Sequence, residues 1–272
     1  MKKLLCLVGA LSLVFASCSS EEENDSENGA DAILPKTVKY TDTDFPSDNA
    51  TYVSTYSDTK VLSVKNEYGR TDYTYDGDFI VKEVNYDTES NSNKDVKSDE
   101  TTYKYSNGKL SESSFVESFS TEYPNGKYKN RKVYTHNVDG TVKVETYKTN
   151  PEIGPEYKSI VVSVLTFANG NLVKSVDAIA ETNNVVFNNV YEYDTKNNPF
   201  KNILGLNLLI GYNGIEGSMS SVNNIIKYTT SYGDVTEVYK RELIYDANGY
   251  PTKISFYKND GITVDSTNEY TY

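Results

Sequence analysis

The sequence predicts an all-β fold, an antiparallel meander of about a dozen strands curled into a closed or partly open barrel. Three observations predict it. A motif of aromatic, polar, aromatic, leading into Asp-Gly or Asn-Gly, returns along the chain from Tyr73 to Tyr272. The composition suits a pleated, half-buried surface, with 25 Tyr, 9 Phe and no Trp, and with Thr and Val abundant. Ala and Leu, strong helix formers, are scarce outside the first 17 residues and one central segment.

The chain opens Met1-Lys2-Lys3, runs apolar from Leu4 to Phe15, and continues Ala16-Ser17-Cys18. Two cations, a short apolar core and small residues at a cut site are the layout of an export signal. The core is about a dozen residues, too short for a helix that crosses a bilayer of roughly 30 Å. Residues 1–17 are therefore expected to be removed. The junction resembles a lipobox, in which Cys18 becomes the first mature residue and carries acyl chains such as palmitate. Phe15 stands where that pattern usually has Leu. Cys6 lies in the apolar core and would leave with it, so no free thiol and no disulfide are expected in the mature domain.

Residues 18–35 read as a flexible acidic tether. Ser19-Ser20-Glu21-Glu22-Glu23 and the Asn, Asp, Ser and Gly that follow bury too little apolar surface to order themselves. The acidic run looks like the signal that routes lipoproteins of Bacteroidota to the outer face of the outer membrane. The expected location is the outer membrane, lipid-anchored through Cys18 and facing the cell exterior.

Residues 36–272 read as a single repetitive β domain. An opening strand is expected around Tyr52 to Val64. The units then begin at Tyr73, Tyr103, Tyr134, Leu165, Tyr191, Leu243 and Tyr270, separated by 30, 31, 31, 26, 52 and 27 residues. The 52 is expected to hold two units, one of them degraded. In each unit the aromatics alternate with polar residues, so both face one side of a strand. The following Asn-Gly or Asp-Gly supplies the positive φ of a tight hairpin. The intervening residues are Thr, Lys, Glu and Ser. A membrane-spanning barrel needs an outward apolar band instead, so the sheet is expected to stand in water. The most apolar stretch of the mature chain, Pro199 to Ile210, interrupts the rhythm. Asn198 as a cap and Pro199 in a first turn predict a short helix near 199–210 that plugs or covers an end of the curl. The alternative is a buried strand.

Formal charge is −12, and −14 once Lys2 and Lys3 are lost. So acidic a surface repels phosphate backbones, and no nucleic-acid partner is expected. His136 is the single histidine and occupies a position that holds Tyr or Phe in the other units, so it is expected as a member of the aromatic row. No metal site, no cofactor and no catalytic residue is assigned. With one His and no mature domain Cys, the usual zinc ligands are missing. No Gly-x-Ser-x-Gly elbow or phosphate-cradling loop is present. Asp76, Asp139, Asp194 and Asp246 recur at turns, where side-chain bonding to the turn backbone accounts for them.

The aromatic-x-Tyr-Asp-x-x-Gly-x-Leu/Pro-x-Lys pattern is similar to the tyrosine-aspartate repeats of Rhs-type shells. The signal, the repeats and Tyr191-Glu-Tyr193-Asp194 leading to Asn197-Asn198-Pro199-Phe200 resemble uncharacterised Bacteroidota lipoproteins, among them a domain family described as porin-like in fold. The resemblance spans about residues 50–272. It implies a curled antiparallel sheet and carries no activity. The expected function is a non-enzymatic, surface-exposed β domain that binds an extracellular ligand or partner or plays a structural part. The alternative is an enzyme acting on extracellular polysaccharide or peptide through a carboxylate pair, which requires two convergent acids in a cleft.

Overall fold

The computed structural model describes residues 32–88, 94–210 and 219–272. Cys18 and the Ser19 to Glu23 run lie outside the described residues. Ala32–Tyr272 form one compact unit. Its strands are β1 (Thr37–Asp42), β2 (Ala50–Ser57), β3 (Lys60–Lys65), β4 (Gly69–Asp76), β5 (Phe79–Thr88), β6 (Asp95–Ser106), β7 (Lys109–Glu117) and β8 (Tyr128–His136). They continue as β9 (Val142–Asn150), β10 (Gly154–Ala168), β11 (Asn171–Ile179), β12 (Val185–Tyr193), β13 (Ile225–Tyr232), β14 (Val235–Tyr245), β15 (Pro251–Tyr257) and β16 (Val264–Thr271). Each pairs antiparallel with its chain neighbours, and β1 pairs with β16 from Thr37↔Thr271 to Asp42↔Ser266, closing the barrel. Closure leaves no free strand edge.

Sixteen strands are seen among the described residues, against about a dozen expected. The opening segment is a hairpin, β2 and β3, rather than one strand, and β1 precedes it. The 52-residue interval is not two units. It is one hairpin, β12 and β13, whose turn has grown into the segment 194–224.

The strand ends alternate, so the repeat turns all lie at one end of the barrel. Asn107-Gly108 and Asn169-Gly170 both have positive φ at the two central positions (52° and 74°, 52° and 76°), as tight two-residue hairpins require. The tyrosines behind those turns face inward and do a job that Phe cannot. Tyr105 donates its hydroxyl to the carbonyl of Ile80 at 2.7 Å, and Tyr193 does the same to Leu172 at 2.7 Å. Tyr56 reaches Pro35 at 2.8 Å and Tyr272 reaches Pro251 at 2.8 Å. Each ring fills interior space while its polar tip satisfies a backbone carbonyl on a neighbouring strand or segment. His136 belongs to this row, with Nε2 2.8 Å from the Leu110 carbonyl oxygen. The acceptor is a carbonyl, so Nε2 carries the proton.

Segment 199–210 is not a helix, nor a strand. Its regular structure is a single 3-10 turn, Leu206–Leu208. Gly205 enters that turn at φ +77°, a left-handed conformation that ends any helix begun at Pro199. The Asn198 side chain instead accepts the Phe200 N–H at 2.9 Å, making a local turn. The segment's remaining polar groups bond to the barrel. Leu204 donates its N–H to Thr59 at 2.9 Å and accepts the Tyr75 hydroxyl at 3.1 Å, and Asn202 reaches the Ile33 carbonyl at 3.0 Å. Ile203 and Leu206 pack with Val61 and Ile80 in a buried cluster, so the segment plugs the repeat-turn end as expected.

The outer wall is charged. Lys82 pairs with Glu100, Arg131 with Glu112 and Glu156, Lys240 with Glu242, and Lys253 with Glu269. Exposed pairs of this kind stabilise the fold by at most about 1 kcal/mol each. Their weight lies in what they exclude. A Lys or Arg facing lipid at the bilayer midplane costs about 2–4 kcal/mol. Four such residues near mid-strand would offset roughly the whole stability of an ordinary domain. Charges so placed favour a wall that faces water over one that faces lipid.

Candidate functional site

The inner face follows from strand register. Tyr228 on β13 opposes Tyr239 on β14, Arg241 opposes Phe256 on β15, and Phe256 opposes Ser266 on β16. Asn268 opposes Ile254 on one side and Tyr40 of β1 on the other. These residues share one parity and face inward.

Part of the interior is filled. Leu110, Tyr134, Val142, Val144, Leu165, Leu172, Tyr191 and Ile225 form one buried cluster, and the plug residues another. Part is open. A cavity of about 810 Å³ rises from a floor that includes Phe200 and Met219, between walls that include Val38, Tyr40, Ile254 and Tyr270. A second, of about 620 Å³, is lined by Asp177, Phe187, Tyr228, Glu237 and Tyr239. Both are bounded by Arg241, Phe256, Asp265 and Ser266. Volumes of this size suit small organic ligands.

The lumen wall is aromatic and ordered. Tyr228 stacks between Tyr191 (5.2 Å between ring centres) and Tyr239 (5.4 Å). Its hydroxyl donates to Asn189 at 3.1 Å, and the Asn189 amide donates to Ser175 at 3.0 Å. Burial raises the hydroxyl pKa of Tyr191 and of Tyr270 to about 12, so both remain neutral donors.

Of the interior charges, Glu83 bonds to Tyr103, and Glu237 accepts the Tyr239 hydroxyl at 3.0 Å. Arg241 differs. Among the described residues its guanidinium has no hydrogen-bond or ion-pair partner. It lies over the Phe256 ring at 5.1 Å, and the ionisable groups that bear on it are the tyrosines Tyr270, Tyr193 and Tyr191. Burial pushes its pKa down. Asp177 has one buried carboxylate oxygen, Oδ1, with no hydrogen-bond partner.

Three of the four turn acids bond to their own turn backbone, and Asp194 also accepts from Asn224 and the Tyr245 hydroxyl. Asp139 accepts the Thr141 N–H at 3.0 Å, Asp194 the Lys196 N–H at 3.0 Å, and Asp246 the N–H groups of Asn248 and Tyr250 at 2.9 and 2.8 Å. Asp76 makes no such bond. Asp42 caps the turn after β1 by accepting the N–H groups of Asp44 and Phe45. Among the described residues no three His, Cys, Asp or Glu side chains converge as a metal site would require. Asp177 and Glu237 line one cavity but stand three strands apart, roughly 14 Å along the wall at 4.7–4.9 Å per strand. Glycosidase pairs are about 5–9.5 Å apart.

Arg241 was not singled out by its sequence context. The signal is parity. In Tyr239-Lys-Arg241-Glu-Leu243-Ile-Tyr245 it occupies a position of the aromatic, inward set.

No family model matches the chain, and no curated protein matches it in sequence. Among solved structures, a porin-like protein from Bacteroides uniformis is similar. The two are 12% identical with a TM-score of 0.44, over 87% of this chain and 97% of that one. The reading of this chain rests on its own wall and lumen.

Proposed function

We propose that this chain is a non-enzymatic binding lipoprotein of the outer membrane, held by lipid on Cys18 and turned to the cell exterior, whose barrel lumen receives a small organic ligand. The observation that carries the binding role is the cavity of about 810 Å³ in the lumen, lined by Tyr40, Tyr73, Phe256 and Tyr270 and bordered by the plug residue Phe200. The chain enters the barrel at its plugged end, where Asn202 holds Ile33. The charged wall supports the same picture, since lipid and tether then make the membrane attachment and the barrel need not enter the bilayer.

The lumen is tested by titrating the protein with N-phenylnaphthylamine, a neutral dye that brightens in apolar surroundings. A saturable, single-site response is expected, and Ile254→Trp, which fills the cavity, abolishes it. A response unaffected by Ile254→Trp places the dye elsewhere and counts against the lumen. The address is tested by metabolic labelling with palmitate, where wild type takes label and Cys18→Ala does not. Equal labelling of the two removes the lipoprotein assignment.

A further inference from the structure

We infer that the lumen ligand is an organic anion, a carboxylate or sulfonate on an apolar body, and that Arg241 holds its charged group. The inference rests on the lumen-binding reading and specifies its ligand. Arg241 is part-buried where it lines the lumen, and cations held partly out of water in folded proteins are nearly always paired. Of the other described acids that line the cavities, Asp99 is held by Asn85 and Ser98, and Asp87, Asp177 and Asp265 are not among the groups that bear on Arg241. Glu237 is four residues along the same strand, roughly 13 Å at 3.2–3.4 Å per residue, and it is engaged by Tyr239. Among the described residues, no carboxylate is among the charges that bear on Arg241. The guanidinium bounds both cavities, so an entering ligand meets it.

Its surroundings define the rest of the ligand. Phe256 covers one face of the guanidinium, and Ile254, Phe200, Met219 and Tyr270 line the larger cavity beside it. These surfaces suit an apolar body rather than a polyhydroxylated one. The other cations of the lining are paired, Arg70 with Asp72 and Asp95 and Lys240 with Glu242, so a phosphate-rich ligand would meet one unpaired guanidinium in a chain of formal charge −12 and is disfavoured. A singly charged group fits a single cation, and Arg presents its donors in a fork that matches a carboxylate or sulfonate. The tyrosine hydroxyls near Arg241 are neutral, so they do not compete for it as anions.

The test compares two dyes of similar shape, anilinonaphthalene sulfonate and neutral N-phenylnaphthylamine, on the full-length protein. A charge-assisted contact is worth about 1.5–3 kcal/mol, so wild type should bind the sulfonate tighter by about tenfold or more. Arg241→Gln should lose that margin while its affinity for the neutral dye stays the same. Arg241→Lys, which keeps the charge, should retain most of the margin. Dodecanoate should displace the sulfonate, and dodecanol should not. Arg241→Gln should also raise the melting temperature of the ligand-free protein, because it removes an unpaired charge from the interior. Equal affinity of wild type for the two dyes, or a margin that survives Arg241→Gln, overturns the anion assignment while leaving the lumen reading intact. Failure of both dyes to bind overturns both. A fall in melting temperature for Arg241→Gln overturns the assignment as well, since it shows that the guanidinium serves the fold.

Discussion

Gly205→Ala is expected to destabilise the barrel by about 3 kcal/mol or more, which for a domain of this size lowers the melting temperature by roughly 6–12 °C. Two effects add. Gly205 has φ +77°, where an L-residue costs about 1–2 kcal/mol. An added Cβ would also lie 2.6 Å from the Asp78 carbonyl oxygen and 3.3 Å from the Ile80 nitrogen. Both are backbone atoms of the β4–β5 hairpin, so no rotamer change relieves the clash. Either the plug lifts or the hairpin bends, and either way Val61, Ile80, Ile203 and Leu206 lose packing. Gly108→Ala is the control. Its φ is +74°, and nothing lies within 4 Å of an added Cβ. It should cost only the conformational part, about 1–2 kcal/mol. Urea unfolding of the two variants gives the difference. Equal costs would show that segment 199–210 is not wedged against the hairpin.

Much of this architecture could be read from local pattern, because its causes are local. Tyr103-Lys-Tyr105 and Tyr191-Glu-Tyr193 alternate with period two, and Asn107-Gly108 fits a tight turn whatever surrounds it. What escaped has non-local causes. β1 carries no repeat motif, and its place is set by pairing with β16, more than two hundred residues away. The turn between β12 and β13 looked like a lost repeat because its apolar residues, Ile203 and Leu206, belong to a core completed by Val61 and Ile80 from another part of the chain. The same contacts override the helical preference of Leu204 to Leu209, since a helix would leave Leu204 unable to bond Thr59 and Tyr75. The lumen is less legible still. An empty space has no residue of its own, and Arg241 resembles its neighbour Lys240 until register turns one inward and the other out. The lipid-site residues, Cys18 and Ser19 to Glu23, remain a reading of the sequence.

The central claim is that a closed wall surrounds a lumen open to small molecules. Adjacent residues on β16 test it, because successive side chains point to opposite faces. Asn268 faces the lumen between Tyr40 and Ile254, and Glu269 faces out beside Lys253. In a mature chain whose Cys18 carries lipid, as proposed, a cysteine placed at either position is the free thiol. A small charged methanethiosulfonate should modify both Asn268→Cys and Glu269→Cys in the folded protein. A long polyethylene-glycol maleimide should modify Glu269→Cys rapidly and Asn268→Cys only after unfolding. Resistance of folded Asn268→Cys to the small reagent would mean a solid interior, and rapid reaction with the large one would mean an open wall; either result contradicts the account.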